Sequence, residues 1–237
     1  MNTINNTFNK VVCINLLNRK DKKENMQTKF NKLGIKVEWF TAIQYGFANQ
    51  IVDNLPNKLP NNSFGRFNVK QPNEFGAAMS HYTVIKTAYN EGVKNLFVFE
   101  DDAKFRENFV EEFSKSWDKL PNNWNMINLY SFMYALNDKN KRINVRWITS
   151  NSGWSLMAYG MDRKAMKWYI DSQDELFRIA DLVSFHMQAL SNLNIYSSIP
   201  TLCIPNQELG SNIRGDNMNY IKNKTVLNFG YNDEHFN

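Results

Sequence analysis

The sequence NLFVFEDD at residues 95–102 decides the fold of this chain. Four consecutive apolar residues run directly into three consecutive carboxylates. A short, continuous apolar run predicts a strand that is covered on both faces, as in a parallel sheet flanked by helices. Ligands of open α/β sheets bind at the carboxyl ends of the strands, which is where the acidic residues follow this one. The stretch therefore predicts a central strand that leads into a ligand site.

The acidic triplet Glu100-Asp101-Asp102 needs a compensating charge. Three adjacent carboxylates repel one another, and packing alone gives no reason to keep them together. A divalent cation would give one, because Mg²⁺ and Mn²⁺ prefer oxygen ligands. The alternative is a solvated acidic turn, or the first turn of a helix. The strand and the triplet by themselves favour neither interpretation.

Composition and charge bound the class of protein. The 237 residues suffice for one large domain or two small ones, and 43% of them are hydrophobic. The net charge of +5 suits an anionic ligand such as a nucleotide, and weakly indicates nucleic acid or an anionic surface. Cys13 and Cys203 are too few and too far apart for a disulfide framework, which indicates a reducing compartment.

Targeting signals are not evident in the sequence. Residues 1–9 are polar and lack the apolar core of a signal peptide, so we expect them to be disordered. No apolar run reaches the length of a membrane span. We therefore expect a cytoplasmic protein, of a bacterium or, if the chain is viral, of a host cell.

The opening of the chain reads as a βαβ unit. Residues 11–17 predict a buried strand, a helix follows to Leu33 with Gly34 as its stop, and residues 37–40 predict a second strand. This order favours a parallel sheet. Arg19 lies at the strand-to-helix turn, where it could meet a phosphate; taken alone, it is more simply a surface cation.

The rest of the chain continues the α/β pattern. Residues 73–90 predict an amphipathic helix that carries Ser80 and His81, and a lone histidine on the flank of such a stripe is more often structural than functional. Later elements are a helix at 107–120, strands at 124–129, 143–149 and 154–159, a helix capped by Asp162, a helix after Asp181 that carries His186, and a strand at 195–199. Residues 44–72 predict a long loop.

Four motifs in this order resemble those of the family 25 glycosyltransferases, which include bacterial lipooligosaccharide and collagen galactosyltransferases. They are VCINLLNRKDK at 12–22, GAAMSH at 76–81, EDD at 100–102 and the pair Ala180-Asp181. Order and spacing agree over roughly residues 10–185. Two departures stand out: Ala77 replaces the usual cysteine, and the stretch 42–46 lacks the family's aspartate.

The resemblance implies a GT-A fold, an α/β/α Rossmann-like sandwich with a mostly parallel central sheet. It implies one glycosyltransferase domain over residues 1–237, with the tail 200–237 closing the site. The implied reaction is inverting transfer from a nucleotide-diphosphate sugar, a UDP-sugar above all, with Mn²⁺ or Mg²⁺ as cofactor. The acceptor is a hydroxyl group, most simply of a glycan.

The resemblance also assigns roles to residues. Asp102 and Asp101 would hold the metal, and Asp101 is also a catalytic candidate. Asp181 is the candidate base, with a helix cap as its alternative role. His81 and His186 are candidates for a diphosphate contact or for a third metal ligand. The nucleotide-sugar pocket would be lined by Asn15, Leu16, Arg19, Ser80, His81 and Glu100. Apart from the resemblance, Arg214, Asp216 and His235 in the tail are loose candidates for the site, and for His235 an ordinary surface tail is the better interpretation.

Two other functions stay open at this point. The same chemistry could act on nucleic acid, such as a modified base in viral DNA. The net charge and a basic segment of Lys139, Lys141, Arg142 and Arg146 beside Trp147 would suit that polymer. The chain could also be a non-catalytic relative that binds a nucleotide sugar, although the intact acidic triplet argues against decay.

Overall fold

The computed structural model describes residues 1–44, 72–130, 142–149, 155–176, 191–210 and 235–236. Its helices are α1 (Ile4–Thr7), α2 (Lys20–Leu33), α3 (Pro72–Asn90), α4 (Phe109–Trp117) and α5 (Arg163–Leu176). Its strands are β1 (Lys10–Asn15), β2 (Glu38–Thr41), β3 (Asn95–Glu100), β4 (Ala103–Phe105), β5 (Met126–Asn128), β6 (Trp147–Thr149), β7 (Ala158–Asp162), β8 (Ile195–Ser198) and β9 (Cys203–Pro205).

The central sheet has seven strands in the order β2-β1-β3-β7-β5-β8-β6. Within this described sheet β1 pairs in parallel with both β2 and β3, β5 pairs in parallel with β8, and β7 and β6 run against their neighbours. Five strands therefore point the same way. The expectation of an α/β fold with a mostly parallel central sheet is confirmed, and the first strand and the acidic strand are neighbours in it.

Both faces of the sheet are covered, which explains the unbroken apolar run in β3. Phe97 and Phe99 pack into an aromatic-rich core with residues of α1, α2 and α4, whereas Leu96 and Val98 pack on the opposite face against α3 and α5. All four side chains are fully buried. A strand covered on one side alone would alternate apolar with polar residues. The two cores make the helix–sheet–helix sandwich.

The chain start differs from the expectation. Residues 1–9 were expected to be disordered, but residues 4–7 form α1 and both Ile4 and Phe8 are buried in the aromatic core. The Phe8 ring lies edge-on to that of Phe97, with 4.9 Å between the ring centroids. The polar composition misled because the burial of Ile4 and Phe8 is enough to hold this segment against the core.

Several element bounds also differ. The predicted helix 107–120 is shorter as α4, the strand predicted at 154–159 is β7, which runs from Ala158 to Asp162, and only the last three residues of 143–149 are a strand. Strands β4 and β9, which pair antiparallel, were not predicted. Strands of three residues are too short to show a periodicity in the sequence.

Some predictions lie outside the described residues. They are the loop at 45–71, the basic residues Lys139 and Lys141, Asp181 with His186 and the helix around them, and Arg214 with Asp216. His235 is described and exposed, and its carbonyl accepts a hydrogen bond from the Glu107 amide at 2.7 Å. Among the described helices, none is long and apolar enough to cross a membrane.

Candidate active site

The candidate site lies where β1 and β3 end side by side. Their register places Ile14 beside Glu100, so Asn15 and Asp101 emerge next to each other at the carboxyl edge. Nδ2 of Asn15 donates to Oδ2 of Asp101 at 2.7 Å and to the carbonyl of Arg19 at 3.1 Å. One buried amide thus ties the acidic segment to the turn that leads into α2.

Lys22, on the first turn of α2, offsets part of the negative charge of this acidic segment from within the protein. Its Nζ lies 3.4 Å from Oδ1 of Asp101 and 3.2 Å from Oδ2 of Asp102, and its side chain is only 2% exposed. An ion pair inside the protein therefore gives a reason to keep the carboxylates together, which the sequence analysis expected only from a divalent cation. The signal was present: Lys22, Met26 and Phe30 share one buried face of α2 at four-residue spacing.

Asp101 and Asp102 have different surroundings. Burial raises the pKa of Asp101, and the nearby Asp102 adds to this, while Lys22 and Asn15 act in the opposite direction. Both carboxylate oxygens of Asp101 are engaged by these two partners. Asp102 is half-buried, and no described residue donates a hydrogen bond to its Oδ1. Of the two, Asp102 has the oxygen that can take a new ligand.

Arg19 closes one side of the site. Its guanidinium donates to both oxygens of Asp21, at 2.9 and 2.7 Å, and also to the carbonyl of Leu209 at 2.8 Å. This fork-like pairing lowers the pKa of Asp21 to about 2. The neighbouring Leu16 is half-buried, and Leu17 at the tip of the turn is 70% exposed.

The segment after β9 also reaches the site. The amide of Asn206 donates to the carbonyl of Asp102 at 2.6 Å, and Leu209 receives the hydrogen bond from Arg19. Residues 206–209 therefore lie against both the acidic segment and the β1–α2 turn. They belong to the described part of the tail at 200–237, which the sequence predicts to close the site.

Glu100 points to the opposite face of the sheet. Its Oε1 lies 3.0 Å from Nε2 of His81, and Nδ1 of the same ring lies 2.9 Å from the hydroxyl of Tyr159. His81 is 1% exposed and Tyr159 is fully buried, whereas the Glu100 side chain is 30% exposed. Both ring nitrogens of His81 are engaged inside the protein, so its contacts differ from the diphosphate or metal contact expected from the sequence.

Ser80 is likewise an internal residue. Its hydroxyl donates to the carbonyl of Gly76 at 2.7 Å and accepts from the amide of Ile43 at 2.8 Å, and the side chain is fully buried. These bonds join α3 to the segment that follows β2. The expected contact of Ser80 with a nucleotide sugar does not fit this burial.

The basic segment expected to suit nucleic acid is partly internal. Arg146 forms an ion pair with Glu112 at 2.6 Å, and Trp147 is buried with its indole N–H donating to the carbonyl of Ser116 at 2.7 Å. An arginine already paired to a carboxylate and a tryptophan in the core cannot form a free nucleic-acid surface. The described part of this segment does not support a nucleic-acid acceptor.

The fit of a metal ion rests on Asp102. Within the described ranges no three His, Cys, Asp or Glu side chains are grouped so that they could hold a metal by themselves. Mg²⁺ commonly binds to one or two carboxylates and completes its shell with substrate phosphates and water. One available carboxylate oxygen beside a diphosphate would satisfy that requirement, so the donor set fits a metal that arrives with its substrate.

Comparison with known proteins confirms the resemblance. The sequence model of glycosyltransferase family 25, described as LPS biosynthesis protein, matches residues 8–175. The match includes Asn15, Lys22, His81 and the acidic triplet, and it ends before Asp181. No curated protein sequence matches the chain.

Proposed function

The chain belongs to glycosyltransferase family 25, and from that premise we propose that this enzyme transfers a sugar from a UDP-sugar to a hydroxyl group of a glycan. The transfer proceeds with inversion at the anomeric carbon and uses Mn²⁺ or Mg²⁺. The sandwich is of the GT-A type. A glycan acceptor is supported by the description of the matched family, which names LPS biosynthesis.

One observation carries this proposal: polar groups from three elements meet at the carboxyl edge of the sheet. Asn15 ends β1, Lys22 lies in the first turn of α2, and Asp101 with Asp102 follows β3. In open α/β sheets this edge is where nucleotides bind. A glycine-rich phosphate loop is not needed where a divalent cation held by a carboxylate would bind the diphosphate.

The site must stabilise the negative charge of the nucleoside diphosphate as it leaves. As the bond between the sugar and the diphosphate breaks, negative charge builds on the β-phosphate. A divalent ion held by Asp102 would neutralise that charge when bound. Asp101 supports this role indirectly, because its contacts with Asn15 and Lys22 fix the segment from which Asp102 projects.

The nucleotide would lie against the β1–α2 turn. Leu16 and the exposed Leu17 supply apolar surface there for the base, and the partly exposed Glu100 would accept hydrogen bonds from ribose hydroxyls. Arg19 borders this pocket, with its guanidinium held by Asp21 and by the carbonyl of Leu209. The apolar surface and the carboxylate match the base and the diol of a nucleoside, and the diphosphate would be held by the ion at Asp102.

Inversion requires a base that takes the proton of the acceptor hydroxyl as its oxygen attacks the anomeric carbon from the face opposite the diphosphate. Asp101 is poorly suited to this, since both of its oxygens are engaged. Asp181 stays our candidate because the pair Ala180-Asp181, which lies beyond the matched residues 8–175, resembles the late aspartate of the family. The acceptor loses one proton, one glycosidic bond forms, and the nucleoside diphosphate leaves.

A thermal-shift panel of nucleotide sugars, with and without Mn²⁺, tests the proposal, since a ligand that binds the folded state raises the melting temperature. We expect UDP-sugars to stabilise the wild type only with Mn²⁺, and Asp102→Asn to lose that shift while keeping its own melting temperature. Glu24→Gln, an exposed acid on α2, is the matched control and should retain it.

Calorimetric titration and an assay of sugar release complete the test. An unchanged Mn²⁺-dependent affinity in Asp102→Asn would overturn the metal assignment. Binding without any transfer or hydrolysis by the wild type would instead favour the non-catalytic relative considered from the sequence.

A further inference from the structure

We propose that His81 and Tyr159 are positioning residues that hold the carboxylate of Glu100 in place for the donor's ribose. This inference deepens the proposed function and rests on it. It concerns three side chains that converge from α3, β7 and β3 on one face of the sheet.

The three side chains form one chain of hydrogen bonds that runs from the core to the site. Burial raises the pKa of Tyr159 well above its ordinary value, so its hydroxyl keeps its proton and can donate to Nδ1 of His81. The carboxylate of Glu100 can only accept, so a neutral ring bonded to both partners carries its proton on Nε2 and accepts from Tyr159 at Nδ1. That N–H donates to Oε1 of Glu100 at 3.0 Å.

Burial decreases along these hydrogen bonds, from Tyr159 and His81 in the core to Glu100 at the site. Tyr159 and His81 have essentially no contact with solvent, while Glu100 is 30% exposed. A buried polar group is costly unless it is hydrogen-bonded, and here the two buried groups satisfy each other and a carboxylate at the edge. The hydrogen bonds therefore fix the orientation of Glu100, which of these three side chains is the one that a ligand can reach.

The backbone of Glu100 is also fixed. Its amide donates to the carbonyl of Met157 at 2.8 Å, so the strand position is set by the sheet. What the sheet leaves undetermined is the rotamer of a long, flexible side chain. Groups that bind a substrate work best when neighbouring hydrogen bonds fix their rotamers, because less freedom is then lost on binding.

The test compares steady-state kinetics of four variants with the wild type, using a UDP-sugar and Mn²⁺. His81→Leu should raise the donor KM by about tenfold, the effect expected for losing one hydrogen bond to a charged group. The acceptor KM should stay unchanged. His81→Gln, which keeps an N–H donor toward Glu100, should restore most of the affinity, and Tyr159→Phe should shift the donor KM in the same direction as His81→Leu.

The fourth variant is a control. Tyr169→Phe removes the hydroxyl of another fully buried tyrosine, one with no hydrogen-bond partner among the described residues. It should leave the donor KM unchanged. If His81→Leu fails to fold, His81→Gln and Tyr159→Phe carry the test.

A double-mutant comparison separates positioning from a general structural role. In the Glu100→Ala background, His81→Leu should cause no further rise in the donor KM, because it acts only through Glu100. A lower melting temperature with an unchanged donor KM in both His81→Leu and Tyr159→Phe would overturn the inference and leave the proposed function intact. A wild type that neither binds nor uses any UDP-sugar would overturn both.

Discussion

The ammonium group of Lys22 lies 3.4 Å from Oδ1 of Asp101, and both side chains are buried. The two residues belong to α2 and to the turn after β3, so this contact ties the first helix to the acidic segment. This ion pair fixes the start of α2 and the end of β3 relative to each other. The same ammonium also contacts Asp102, which we propose as the metal-binding residue.

Replacing Lys22 by methionine should lower the free energy of unfolding by about 3 kcal/mol, because it leaves a buried carboxylate without its partner. The value lies at the low end for buried pairs, since Asp102 keeps contact with water. Urea unfolding measures it. Lys20→Met, at an exposed position of the same helix, should change stability by less than about 0.5 kcal/mol. Equal stabilities of the two variants would show that Lys22 does not compensate the acidic segment.

Arg19→Gln should move the pKa of Asp21 upward from about 2 toward its ordinary value of 3.8, because the hydrogen bonds from Arg19 are the main cause of the lowering. A carboxyl group with a lowered pKa stabilises the fold above 3.8, and this contribution is lost as the pH falls toward 2. Titration of the Asp21 carboxyl by NMR decides it, with Lys20→Gln as the control. A pKa still near 2 in Arg19→Gln would assign the lowering to backbone hydrogen bonds.

Gly160→Ala should destabilise the protein by about 1–3 kcal/mol, the usual cost of overpacking. A β-carbon at position 160 would lie 2.5 Å from the ring of Phe8, which cannot move easily among Phe97, Trp117 and Trp124. Thermal unfolding measures the loss. Adding Phe8→Leu, which removes part of the ring, should make the two changes less than additive. Strict additivity would show that this contact does not cause the loss.

Asp181→Ala should lower turnover far more than donor affinity if Asp181 is the base. The alternative is a helix cap, whose loss costs about 1 kcal/mol of stability without a selective effect on turnover. Melting temperature and turnover at saturating donor and acceptor should be measured together. An earlier melting transition at wild-type turnover would make Asp181 a cap, and the neighbouring Ser184→Ala serves as a control.

Much of the fold could be predicted because its signals are local. The apolar runs of β1 and β3, the amphipathic stripe of α3 and the stop at Gly34 each depend on a few neighbouring residues. Gly34 ends α2 as predicted, with φ of 66°, a conformation that favours glycine. Asp162 caps α5 as predicted, because its Oδ1 accepts a hydrogen bond from the amide of Ala165 at 2.7 Å. Patterns of this range are fully present in the sequence.

The site could be predicted in its location but not in its contacts. Residue patterns alone were enough to predict the class of fold, the strand that ends in the acidic triplet, and the family. The folded structure was needed to show that Lys22 contacts carboxylates about 80 positions later, that His81 joins Glu100 to Tyr159, and that residues 206–209 reach the acidic segment. Such contacts depend on strand order and register, which bring distant residues together, and a periodicity over a few residues carries no information about either.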